Sequence, residues 1–222
     1  MYALSLSEAK KFVRAKLDEQ QDNYSDLMED IDTSDLDSLI AKLLPETINE
    51  VHLMAPANML DGKMITPNDY VSGDFDIDTD GVFTFSINKP FLRLVAFKAK
   101  DSYITVNEVV PEVSPEGRMQ LNPFTRGTSR NPRLVLMQGK KASQRSTFKY
   151  FSLAKSYTDK IQAIDRFEYI ELYRYAGSTT SYDIAEYFVN DVIDRLAGKI
   201  LAIYGDSKAN AFLGNGETDS QQ

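Results

Sequence analysis

The stretch Ser181–Gly205, SYDIAEYFVNDVIDRLAGKILAIYG, decides how the rest of the chain is read. Ile184, Ala185, Phe188, Val192, Ile193, Leu196, Ala197, Ile200, Leu201 and Tyr204 recur at helical spacing, so one apolar stripe runs its length. Ser181 is placed to cap the first turn, Asp183 and Glu186 suit its positive end, and Gly205 is placed to close the last. The pattern predicts one continuous helix of roughly 35 Å. Such a stripe has to be buried, and the N-terminal third of the chain offers a matching surface.

In that third, Ser5 and Glu8 have the S-x-x-E spacing of a capping box, and Leu6, Ala9, Phe12, Val13 and Leu17 give the apolar face of a first helix. The polar run DEQQDNYSD either ends this helix or is crossed by it, since Tyr24, Leu27, Met28 and Ile31 continue the spacing. A second start at Asp32-Thr33-Ser34 opens a stripe through Leu36, Leu39, Ile40, Leu43, Leu44, Ile48, Val51 and His52. Pro45 inside it either kinks the helix or begins a new one as its first residue. Residues 56–73 form a connector rich in turn residues.

From Asp74 the period changes to two. Phe75 and Ile77, then Val82, Phe83, Phe85 and Ile87, flank Thr79-Asp80-Gly81, a hairpin signal. FLRLVAFKAK (91–100), YITVNEVV (103–110), RLVLM (133–137), STFKYFSL (146–153) and FEYIELYRY (167–175) read as further strands, with Gln138-Gly139-Lys140-Lys141 as a turn. Residues 111–133, with four prolines, two glycines and two asparagines, read as a long loop without a regular element. The tail GNGETDSQQ reads as disordered unless bound. The expected fold class is α+β: a helical body from residues 1–73 plus 176–222, with an inserted antiparallel β module at 74–175.

Composition limits the chemistry. Without cysteine the chain has no disulfides, thiolate metal sites or cysteine catalysis. MYALSLSEAKKF lacks the apolar core of a signal peptide, and no apolar run approaches a membrane span, so a cytoplasm or an assembly made there is expected. The net charge of −8 is unevenly spread. Residues 89–174 hold 16 Lys+Arg against 8 Asp+Glu, and the rest of the chain holds 9 against 25. Either the helical surface is simply solvated and acidic, or the molecule is two-faced and meets different neighbours on each side.

Most chemical motifs are missing. There is no G-x-S-x-G, H-E-x-x-H, G-x-x-x-x-G-K-[ST] or G-x-G-x-x-G. His52, the only histidine, lies on a helical stripe and reads as a partly buried core residue rather than a general base. DFDIDTDG, with Asp74, Asp76, Asp78, Asp80 and Gly81, resembles the head of a calcium loop. Counted from Asp76, though, loop position 12 is Ile87 and not the required Glu, so a solvated hairpin tip is expected. The chain is read as a non-enzyme with no cofactor and no metal.

The strongest polar signal is Arg118, Arg126, Arg130 and Arg133, spaced through 111–133 with Phe124 among them. Guanidinium forks suit carboxylates or phosphates. A pI near 4.8 is wrong for a free nucleic-acid binder, and the acidic helices favour a protein neighbour. These five residues are the expected partner-binding set. A different class remains: a soluble α+β ligand- or glycan-binding module whose Tyr103, Tyr150, Tyr157, Tyr169, Tyr173 and Tyr175 line a Tyr/Phe-rich sheet. A hydrolase centred on His52 and neighbouring carboxylates is the third.

Helices from both termini around an inserted β region, with a late helix ending AGKILAIYGDSKANAF, resemble the head–tail connector proteins of tailed bacteriophages. LLPETINEVHLMAPANML, FLRLVAFKAKDSYITVNEVVPE and QLNPFTRGTSRNP are most similar to the tail ring proteins of crAss-like phages. The resemblance covers most of the chain, through packing and loop patterns rather than a chemical signature. It implies a structural virion protein, made in the host cytoplasm, of which about twelve copies form a ring. That ring docks on the portal, meets adjacent tail ring proteins and continues the DNA channel, with no membrane partner. The inserted module, around 100 residues, is larger than in minimal adaptors, so their simple fold does not extend over 74–175.

Overall fold

The computed structural model describes residues 1–21, 33–71, 76–77, 82–100, 102–137, 145–152 and 164–204. The fold is α+β, as the two hydrophobic periods require. The chain divides into two compact units, Met1–Ala55 with Tyr173–Gln222, and Pro56–Leu172.

The first unit opens with strand β1 (Tyr2–Ser5), which leads directly into helix α1 (Leu6–Gln21). Ser5 and Glu8 form the expected reciprocal cap. The Glu8 N–H donates to Ser5 Oγ at 3.2 Å, and the Ser5 N–H donates to the Glu8 carboxylate at 3.0 Å. The Ser5 hydroxyl, 2.7 Å from that carboxylate, helps hold the Glu8 carboxyl below its ordinary pKa. Helix α2 (Thr33–Met54) is continuous through Pro45, which does not begin a new helix. Of the two readings of the polar run after Leu17, only the helix as far as Gln21 falls within the described residues.

The C-terminal stretch departs from the sequence reading. Ser181–Ile184 is a strand, here numbered β10, paired antiparallel with β1 in the register Tyr2↔Ile184 to Ser5↔Ser181. A 3-10 turn, Glu186–Phe188, then leads into helix α4 (Val189–Ile203). The helix therefore has 15 residues, about 22 Å, and Ser181 does not cap it. The reason lies in residues 181–184, where Tyr182 and Ile184 are buried and Ser181 and Asp183 are not. That is a strand's alternation, and β1 supplies the partner. Helix α4 packs on both α1 and α2. Its buried Val192, Ile193, Leu196, Ala197 and Ile200 lie in the same unit as Ala9, Val13 and Leu17 of α1 and Ile40, Leu44 and Ile48 of α2. Among the described residues the unit is thus three helices with a two-stranded ribbon rather than helices alone.

The second unit begins at Pro56, not at residue 74. Strand β2 (Lys63–Met64) pairs with β9 (Ile164–Glu171), and the Val71 N–H donates to the Ser86 carbonyl at 2.9 Å. The supposed connector is hydrogen-bonded into the β region, which explains the earlier boundary. At the other end, β9 stops at Glu171, and Tyr173 belongs to the first unit.

One sheet has the order β2-β9-β5, with β5 spanning Phe91–Ala99. The other has five strands: β3 (Asp76–Ile77), β4 (Val82–Ile87), β8 (Ser146–Phe151), β7 (Arg133–Met137) and β6 (Val109–Pro111), in that spatial order. Both sheets contribute to one aromatic core, including Phe83, Phe85, Phe97, Phe148, Tyr150, Phe167 and Tyr169. Phe85 stacks on Phe148 at 5.3 Å and meets Phe167 edge-on at 5.8 Å. Residues 103–108 are not a strand, although Phe97 and Val106 exchange two backbone hydrogen bonds.

The module is not purely antiparallel. β6 runs parallel to β7, Val109↔Leu134 to Pro111↔Leu136. Parallel neighbours cannot be joined by a tight turn and need a crossover of roughly a dozen residues or more. Residues 112–132, which carry most of the arginine loop, are that crossover. The expected turns at Thr79-Asp80-Gly81 and 138–141, residues Asp74, Asp78 and Asp80 of the acidic run, Gly205 and the tail lie outside the described residues.

Candidate functional site

The crossover is built by its own side chains. Ser114 accepts the Gly117 N–H at 3.0 Å and donates to the Pro111 carbonyl at 2.7 Å, with Pro115 at the first position of a short helix, α3 (Pro115–Met119). A regular element therefore forms where proline content argued against one. Gly117 is the only residue type that fits its place: a Cβ there would stand 2.2 Å from the Pro111 carbonyl oxygen.

The buried Gln120 braces the middle, its amide donating to the Glu116 carbonyl at 3.1 Å and its oxygen accepting the Gly127 N–H at 2.7 Å. Thr125 donates to the Met119 carbonyl at 2.6 Å, and Asn122 accepts the Phe124 N–H at 3.0 Å. A Cβ on Gly127 would lie 2.7 Å from the Phe151 carbonyl oxygen, so the loop returns to the sheet with no room to spare. Thr128 and Asn131 then exchange two backbone hydrogen bonds, and Arg130 lies in the turn between them. The loop is ordered within the chain itself.

The five expected partner-binding residues separate into two groups. Arg126 and Arg133 are half-buried and line a recess of about 220 Å³, together with Thr125, Thr128, Asn131 and Glu116. Arg118, Arg130 and Phe124 are exposed, Phe124 almost completely, at 96%. Met119 and Leu121 are exposed beside it in sequence. Among the described residues, no carboxylate is within salt-bridge distance of Arg118, Arg130 or Arg133. The recess is lined by two guanidinium groups, two hydroxyls, the Asn131 amide and the Glu116 carboxylate.

The remaining candidates are placed elsewhere. His52 is 2% exposed, and burial lowers its pKa to about 4, so it is neutral at pH 7. Its ring lies 6.5 Å from that of Tyr173. Tyr150 and Tyr169 belong to the aromatic core, and the Tyr173 hydroxyl donates to the Asp183 carbonyl at 3.0 Å. Tyr103 and Tyr175 are exposed in different units, and Tyr157 lies outside the described residues. The tyrosines do not form a common platform among the described residues. No group of His, Asp or Glu in the described residues is placed to hold a metal ion, and no described helix is long and apolar enough to cross a membrane.

Sequence reasoning missed Gln120 and the two glycines as the frame of the loop. A glycine three residues after a serine cap, in SPEG, was the available signal for Gly117. It also missed Tyr187, which lies off the apolar stripe and is 80% exposed. No family model, no characterised protein and no solved structure matches this chain.

Proposed function

We propose that the chain is a structural virion protein, a head–tail connector subunit that docks as a ring on the portal and extends the DNA channel toward the tail. The observation that carries this reading is the crossover loop. Its backbone is fixed by internal hydrogen bonds, yet Phe124, Leu121 and Met119 are left in solvent, and Arg118 and Arg130 of the same loop have no carboxylate partner among the described residues. Exposed large apolar side chains held on a rigid frame, with charged groups at the rim, fit a surface that is buried against a neighbour.

Charge supports the same reading. The unit of Met1–Ala55 with Tyr173–Gln222 holds 9 Lys+Arg against 19 Asp+Glu, and Pro56–Leu172 holds 16 against 14. The first unit is thus strongly acidic and the second close to neutral, so attraction between copies would come from the exposed arginines of the loop meeting the acidic unit. An acidic wall facing the channel would repel DNA and let it slide without sequence preference. The similarity of LLPETINEVHLMAPANML and QLNPFTRGTSRNP to tail ring proteins gives the reading its biological setting, a virion assembled in the host cytoplasm.

The experiment is co-assembly. The chain, mixed with a portal complex from the same phage and imaged by electron microscopy, is expected to add a coaxial ring below the portal. A portal that stays bare across stoichiometric mixtures contradicts the proposal.

A further inference from the structure

The helical unit carries a surface whose chemistry mirrors the arginine loop. Between β10 and α4 the chain makes the 3-10 turn Glu186–Phe188. Phe188 is buried at the start of α4, and Tyr187 beside it is 80% exposed. Glu186 and Asp191 flank Tyr187 and are also exposed. Among the described residues, neither has a basic side chain within salt-bridge distance. Asp191 lies in the first turn of α4, where the helix dipole favours it. That accounts for one carboxylate, but not for the exposed ring or for Glu186.

One unit therefore presents an exposed aromatic ring between unneutralised carboxylates. The other presents an exposed aromatic ring, Phe124, in a loop whose exposed Arg118 and Arg130 have no carboxylate within salt-bridge distance among the described residues. We propose that these are the two halves of one contact: the crossover loop of one copy docks on the Glu186–Asp191 turn of a second copy of this chain. Phe124 covers Tyr187, and Arg118 and Arg130 meet the carboxylates. Because the two surfaces differ, the contact repeats head-to-tail and leaves each copy able to bind two others. Such a contact closes into a ring when the rotation per step divides a full turn. The inference rests on the ring reading for that closure and names the partner surface that the reading left open.

Sedimentation velocity over a wide range of concentrations tests it, at about 50 mM and about 500 mM salt. The parent chain is expected to self-associate at low salt and to weaken at least tenfold at high salt. The paired reversals Arg118→Glu with Arg130→Glu, and separately Glu186→Lys with Asp191→Lys, are each expected to abolish association. All four residues are exposed, so the loop reversal should leave the melting temperature at the parent value, and the turn reversal should lower it only slightly, because Asp191→Lys puts a cation at the positive end of α4. Mixing the two reversed chains is expected to restore association, because each then offers what the other lacks. Phe124→Ala is expected to weaken association at both salt concentrations.

A parent chain that remains monomeric at low salt overturns the contact, as does association that neither reversal changes or that mixing does not restore. If the loop reversal leaves association intact but abolishes retention on immobilised DNA, the loop faces a polyanion, and the contact is wrong. The outcomes also separate this contact from the ring role. Rings on a portal that tolerate both reversals keep the role and discard the contact. Salt-sensitive self-association through these surfaces, with no portal ring, does the opposite.

Discussion

Gly117 and Gly127 bear the crossover loop's tightest constraints, and neither concerns backbone dihedral freedom. In both cases a backbone oxygen occupies the space of a side chain, at 2.2 Å for Gly117 and 2.7 Å for Gly127. Gly117→Ala is expected to cost about 2–3 kcal/mol, because the obstacle is backbone and cannot rotate away; chemical denaturation measures it. A cost below about 0.5 kcal/mol would mean that the loop shifts freely. His52 makes a second residue-scale prediction. Its folded pKa, about 4, lies below the ordinary 6.5, so the unfolded chain binds more protons between those values. Stability should fall as pH drops through that window, by about 1.5 kcal/mol between pH 6.5 and 5, where most carboxylates are still ionised. As the sole histidine, it makes the test clean: His52→Gln should flatten this part of the profile. At this scale the sequence was informative where signals are local. The Ser5–Glu8 cap is read from four residues, whereas the bracing by Gln120 depends on residues brought together only by the completed loop.

At the scale of elements, the stripe in 181–204 misled because two different elements share it. Tyr182 and Ile184 are buried through strand alternation, and Val192, Leu196 and Ile200 through helical spacing. Ile184 and Phe188 happen to fall four residues apart, so the two patterns join without a visible seam. The partner that decides between them, β1, is almost the whole chain away. If β10 is a strand, deleting Met1–Leu4 should raise amide exchange at 181–184 while leaving 192–203 protected. A continuous helix would lose no local protection. Leu196, fully buried on α4, gives the complementary test: Leu196→Asp should cost about 4 kcal/mol or more by forcing a charge into the interior. A small shift in melting temperature would place Leu196 at the surface. The arginine loop was legible as unusual, but not for the right reason. Its length follows from the parallel pairing of β6 and β7, which no local signal announces.

At the scale of the molecule, the change of period from helical to alternating marked two kinds of structure, but not the boundary between the units. Residues 56–71 looked like a connector because β2 has two residues, and its pairing with β9 is long-range. With the boundary at Pro56 and Leu172, replacing residues 56–172 by a short Gly/Ser linker should leave a cooperatively folding unit of three helices and one ribbon. Such a linker has little distance to span, since Asn49 near the end of α2 already exchanges hydrogen bonds with the Tyr173 backbone at 2.7 and 3.0 Å. A non-cooperative thermal transition would mean that the unit depends on the β region. The uneven charge was visible from sequence, but its chemical meaning requires the exposure of Phe124 and Tyr187. We propose that this chain forms a ring in the neck of a phage particle. A reconstruction of the particle's portal and tail, combined with mass spectrometry of its proteins, tests that most directly. About twelve copies of this chain are expected around the DNA channel below the portal; absence of the chain from purified particles, or its presence only away from the channel axis, would contradict the ring.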